Sequence, residues 1–213
     1  MKRSTIFVFS LVVLVGLFLL ATLVYKGGKD GPGKADPALL LRMHAQTLGP
    51  AEAKVHIVEF LDPACEACRA FYPFVKQLMA TNPGKIKLTT RHVGFHKGAD
   101  PVVKVLEAAK KQGKYWPTLE AVLASQPQWA INHEARVDLL WRHLEGVGLD
   151  LDRLRNDMNA DDVERNMKQD RADADALKVE KTPEYFVNGR RMETFGYEQL
   201  RKLVQDELAA GYR

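Results

Sequence analysis

The stretch KVHIVEFLDPACEAC, residues 54–68, decides how this chain is read. Its first half alternates and then turns continuously apolar, as a buried strand does. Its second half carries both cysteines of the 213-residue chain, Cys65 and Cys68, within one helical turn. From about Cys65 to Ala80, the residues Phe71, Phe74, Val75, Leu78 and Met79 recur on one face and predict a helix, with Pro73 inside it as an expected kink. A C-x-x-C pair has three ordinary readings. Half a zinc site needs two further ligands, and the six histidines (44, 56, 92, 96, 133 and 143) form no paired motif, although His92 and His96 are four apart. A purely structural disulfide would close a very short loop and gain little. A redox dithiol fits a pair set beside a βαβ pattern.

The redox reading makes specific demands. Cys65 falls between strand end and helix start, where unpaired backbone N–H groups and the positive end of the helix dipole stabilise an anion. The thiolate is the attacking species, so Cys65 is the candidate nucleophile. Cys68, one turn on, lies on the same side of the helix and is the candidate resolving thiol. Glu66 suits the first helical turn, yet its charge beside Cys65 disfavours the thiolate. A rise of about one pKa unit there corresponds to roughly 30 mV toward a less oxidising pair.

Outward from this centre, Asp36-Pro37 predicts a short helix through residues 37–48, and KIKLTTRHV (85–93) a second strand. Residues 100–177 read as almost entirely helical, in about five pieces, with their charges from Asp150 to Asp175 on solvated faces. EYFVNGRRMET (184–194) holds Asn188-Gly189, a strong hairpin signal, and YEQLRKLVQDELAA closes the chain with a helix. The fold class is therefore α/β: a parallel βαβ unit and an antiparallel hairpin in one mixed sheet, interrupted by a helical block too long to be a crossover.

Composition agrees. Two cysteines are too few for a disulfide scaffold, and 46% hydrophobic residues supply an ordinary core. Without Lys2 and Arg3 the chain has 29 basic against 27 acidic residues, and no basic stripe with interleaved aromatics, so nucleic acid is not an expected partner. The N-terminus differs from the rest. After Lys2 and Arg3, the uncharged run from Ile6 to Tyr25 is long enough to cross a bilayer and ends in no clear cleavage site. An uncleaved anchor is expected, with a cleaved signal as the alternative. KGGKDGPGK (26–34) reads as a flexible tether.

Taken together, VEFLDPACEAC, KKQGKYW and VEKTPEYFVNGRR resemble, in order and spacing, the thioredoxin-fold thiol–disulfide exchange proteins of the DsbA type, over residues 50–210. The resemblance implies a thioredoxin fold with an inserted all-helical subdomain: anchor 1–25, linker 26–35, first thioredoxin part 36–98, insertion 99–178 and second part 179–213. It makes Pro183 the cis-proline facing the sulfurs, with Thr182 before it over Cys65, both holding the client's backbone. It also makes Glu59 the buried acid under Cys68, placed to take that thiol's proton. His92 has no catalytic role in this reading. The threonine at 182 and the glutamate at 66 lean toward isomerase and reductase relatives, so the direction of electron flow stays open. No cofactor or metal is implied. The expected partners are client proteins with free or mispaired cysteines, and either a DsbB-like membrane quinone reductase or a membrane thiol donor. The expected location is the inner membrane, with the catalytic domain in the periplasm or on the outer cell surface. A tethered metal-carrier or chaperone that borrows the fold is the rival from another class.

Overall fold

The computed structural model describes Val15 and residues 33–213 except His133. The predicted anchor over residues 6–25 and the tether before residue 33 lie outside the described residues, apart from Val15. Among the described residues, no helix is long and apolar enough to cross a membrane. The chain divides into two units, 1–34 and 35–213, and both cysteines lie in the second.

The buried run after Lys54 forms strand β2 (Val55–Leu61), and a short strand β1 (Gln46–Leu48) precedes it. Helix α2 (Glu66–Thr81) follows with Pro73 inside it, and then strand β3 (Ile86–His92), which pairs with β2 in parallel. Strands β6 (Glu184–Val187) and β7 (Arg190–Arg191) complete one mixed sheet of order β1-β3-β2-β6-β7. The turn between β6 and β7 is Asn188-Gly189, both at positive φ (49° and 83°), the combination a two-residue hairpin requires. Gly49 is fixed for a different reason: at φ 102°, a Cβ there would sit 2.7 Å from the carbonyl oxygen of Ile86.

Between β3 and β6 run helices α3 (Ala99–Lys110), α4 (Tyr115–Trp129), α5 (Val137–Leu140), α6 (Leu151–Asp157) and α7 (Asp161–Ala176), and helix α8 (Tyr197–Gly211) ends the chain. The predicted third helix of the block is shortened. That helix, expected over residues 135–145, begins only at Val137, because Ala135 pairs in a small hairpin, β4 (Ala130–Ile131) with β5 (Glu134–Ala135), and one 3₁₀ turn (Trp141–His143) ends it before Gly146.

Period-two alternation assigns the faces of β2. Val55 and Ile57 pack with Phe71, Val75, Leu200 and Val204 under α2 and α8. Val58 and Phe60 pack on the other side with Val93, Ala174 and Phe186. Leu61 joins both cysteines in a third cluster built from the helical block, centred on Leu106, Tyr115, Leu119 and Trp129.

Two expectations fail for one reason. The predicted helix through residues 37–48 stops as α1 (Pro37–Leu40), and Leu41 is extended. Arg91, fully buried in β3, donates through Nη1 to the carbonyls of Leu39 and Leu40. Arg42 reaches Asp173 at 2.6 Å and His44 reaches Asp170 at 2.6 Å, so the chain turns over α7 and then adds β1 antiparallel to β3. Correspondingly, Asp170 and Asp173 do not face solvent. Each binds Arg91, at 2.8 and 2.6 Å, in a buried cluster.

Candidate active site

The site begins where β2 ends. Asp62 is fully buried, and its carboxylate accepts from the backbone N–H of Ala64, Phe95 and His96 and pairs with His96 Nδ1 at 2.8 Å. It ties the turn leading to the cysteines to the loop after β3. Asp62 lies between the end of β2 and the cysteines and carries no catalytic motif of its own. Its signal is an acidic residue followed by proline at a strand end.

Cys65 is the N-cap of α2, with no side-chain cap of its own. Cys65 is 7% exposed, while Cys68 is at 0%, and both are free thiols. The Cys65 Sγ donates to the carbonyl of Thr182 at 3.2 Å, and the Thr182–Pro183 peptide bond is cis. Thr182 therefore stands against the sulfur, and Pro183 follows it across the cis bond. Ionisation of Cys65 is favoured: its pKa is lowered to about 6, chiefly by the hydrogen bond from the Cys68 thiol. Burial opposes this, and the Thr182 side chain and the backbone N–H groups of Cys68 and Ala67 assist. The N–H groups of the helix N-terminus thus contribute to the low pKa, and the Cys68 thiol contributes most. Cys68 goes the other way, pushed well up by burial, by its hydrogen bond to Cys65 and by the charge of Glu59.

Glu59 lies on β2 between Ile57 and Leu61, so alternation turns it toward α2 and Cys68. It is fully buried, opposite Tyr185 in the sheet register, and Tyr185 Oη donates to it at 2.9 Å. Burial raises its pKa to about 8 despite that bond. Glu66 is exposed in the first turn of α2. His92 is buried and satisfied, between Glu107 at Nδ1 and the hydroxyl of Tyr115 at Nε2.

The arrangement can therefore present a thiolate near neutral pH, hold a second thiol protonated behind it, and keep a buried carboxyl close enough to both for their charges to be felt. Gln126, from α4, also reaches this segment, and the sequence offered no signal for it.

A family model described as Thioredoxin matches residues 43–206. Among similar proteins, one named Na(+)/H(+) antiporter NhaA 3, of Salinispora tropica, is 34% identical over 146 residues, which are 67% of this chain and 21% of the antiporter. The chain thus spans about a fifth of the length of the antiporters it matches. A protein of Bacillus anthracis named Probable disulfide bond formation protein D is 27% identical over 212 residues, 94% of each chain. Among solved structures, a thioredoxin-like oxidoreductase from Silicibacter pomeroyi superposes with a TM-score of 0.71 at 26% identity, over 83% of this chain and 99% of its own. Oxidised BdbD from Bacillus subtilis superposes with a TM-score of 0.69 at 20% identity, over 83% and 97%, a likeness of fold.

Proposed function

The chain belongs to the thioredoxin family, and from that premise we propose that it exchanges thiols and disulfides with exported proteins through Cys65 and Cys68, in the direction of disulfide formation. The observation that carries the reading is the Cys65 sulfur, held near a pKa of about 6 at a helix N-terminus and 3.2 Å from the carbonyl that precedes Pro183. The relatives named for disulfide bond formation, which align along nearly the whole chain, support the direction.

In this reading a client thiolate attacks Cys65 Sγ of the Cys65–Cys68 disulfide. The S–S bond breaks, and Cys68 leaves as a thiolate. That thiolate takes a proton from the neutral carboxyl of Glu59, which is largely protonated at pH 7 because its pKa lies at about 8. A second client thiolate then attacks the client sulfur of the mixed disulfide and expels Cys65 as a stable thiolate. Client sulfurs lose two electrons and the enzyme pair gains them. In the reverse direction, Glu59 carboxylate takes the Cys68 proton as Cys68 resolves the mixed disulfide. Thr182 and Pro183 hold the client backbone across the sulfur, and Glu66 tunes the potential. Residues 36–98 and 179–213 form the thioredoxin part and residues 99–178 its insertion.

The run Ile6–Tyr25 is proposed as an anchor in the inner membrane, with the catalytic part on its oxidising side, where such chemistry operates. A membrane quinone-linked reductase would reoxidise the pair. The experiment is entrapment: with Cys68→Ser, reaction with a client should stall as a Cys65-linked mixed disulfide, and full activity with both cysteines replaced would overturn the reading in favour of a binding module.

A further inference from the structure

Gln126 lies in α4 and is 1% exposed, on the helix whose Leu119, Val122 and Leu123 join the apolar cluster that holds both cysteines. Its Nε2 donates to the carbonyls of Pro63 and Cys65, at 2.8 and 2.9 Å. Its Oε1 accepts from Arg69 Nε at 3.1 Å. Both amide hydrogens and one acceptor lone pair are thus used, and all three partners belong to the segment that carries the thiols. That segment makes a tight turn, with Cys65 N–H bonded to the Asp62 carbonyl at 3.0 Å, which leaves the Pro63 carbonyl outside the helix ladder. A buried carbonyl needs a donor, and here a helix from the distant block supplies it.

The placement of the Cys65 peptide decides where its sulfur sits relative to its donors. Those are, first, the Cys68 thiol, then Thr182 across the gap and the N–H groups of Cys68 and Ala67. Charge-assisted bonds to a thiolate weaken steeply with distance and angle. We infer that Gln126 is a positioning residue for Cys65: by holding the carbonyls on both sides of residue 64 from helix α4, it fixes the sulfur against its donors and makes thiol reactivity depend on how the helical block is packed. This rests on Cys65 being the exchanging nucleophile. The titratable groups facing that sulfur among the described residues are Cys68, Glu59 and Tyr185.

The test is the thiolate absorbance of the full chain in detergent micelles, titrated with pH, for the unaltered protein, Gln126→Met and Gln126→Glu. Methionine keeps the volume and removes both donors, so the midpoint should rise by about one unit, a roughly tenfold loss of thiolate in acid. Glutamate should move it further, because its carboxylate would face two carbonyl oxygens. A folded Gln126→Met protein that unfolds at lower temperature but keeps the original midpoint would overturn the inference, leaving Gln126 a purely structural residue. Should neither variant fold, the side-chain amide resonances of Gln126 in the unaltered protein decide. They are expected to shift with the same midpoint as the thiol, and unmoved resonances would equally overturn the inference. Failure of the unaltered chain to form any mixed disulfide would instead overturn the proposed function, whatever the midpoint does.

Discussion

Tyr185 donates its hydroxyl to Oε1 of Glu59 across 2.9 Å, and the other carboxylate oxygen is buried with no hydrogen-bond partner among the described residues. Burial and the unsatisfied oxygen outweigh the Tyr185 bond, which opposes them, and favour the neutral acid. That is the state from which a departing Cys68 thiolate can be protonated.

Glu59 should therefore cost stability as pH rises. Its folded pKa, about 8, stands above the ordinary value of 4.5, so across that interval the folded chain keeps a proton that the unfolded chain has released. Stability from this group is full below the lower value and declines toward the upper one, with a ceiling on the order of 4 kcal/mol. Glu59→Gln should gain stability relative to the unaltered protein between about pH 5 and pH 8, and it should slow the Cys68 step. Urea midpoints measured at both pH values check this, and parallel pH dependence of the two proteins would rule it out.

Cys65 should be alkylated as a thiolate with a half-maximal rate near pH 6, and Cys68 should resist the reagent over the same range. The depressed pKa means that the reduced form gains stability as pH rises from about 6 to about 9 and loses it on acidification through the lower value. A thiol at about 6 lies between the thiols of strong disulfide donors, near 3.5, and of thioredoxin, near 7. The reduction potential should accordingly fall between about −120 and −270 mV. Titration against glutathione reads it, and a value at either limit would contradict the geometry around Cys65.

Glu66 stands in solvent, so its effect on the pair should be small and screened. Glu66→Gln should raise the potential by less than about 30 mV at low ionic strength. At about 1 M salt, where the screening length is only about 3 Å, the difference should vanish. A shift that survives such salt undiminished would mean that Glu66 acts through geometry and not through its charge.

Arg91→Met should destabilise the fold by about 3 to 5 kcal/mol, because Asp170 and Asp173 would be left as buried charges without their shared cation. Both carboxyls are held below the ordinary aspartate range. Burial pushes each of them up, and this is outweighed by His44, Arg91 and the His92 N–H at Asp170, and by Arg42, Arg91 and Gln169 at Asp173. Their contribution is thus present above about pH 4 and lost as acid enters the range below. Chemical unfolding at neutral pH measures the first effect. A loss under about 1 kcal/mol would show that the cluster is cushioned by solvent.

Much of the sheet and of the site was legible in the chain because the signals are local. Alternation placed β2 and β3, Asn188-Gly189 placed the final hairpin, and the position of Cys65 at a helix start implied its acidity. Each of these depends on neighbours a few residues away, where period, turn chemistry and helix dipole act. The end of α1 at Leu40, the burial of Asp170 and Asp173, and the reach of Gln126 into the redox turn had no such signal. Arg91 and Asp173 are 82 positions apart, and Gln126 and Pro63 are 63 apart. Whether a polar side chain is solvated or buried depends on a partner that only the folded chain brings near, since burial without one carries a desolvation cost that no local pattern reveals. The sequence by itself determined the two central strands, the final hairpin and the cysteine pair; the tertiary structure alone decided where β1 forms, which charges are buried and which helix reaches the turn at Cys65.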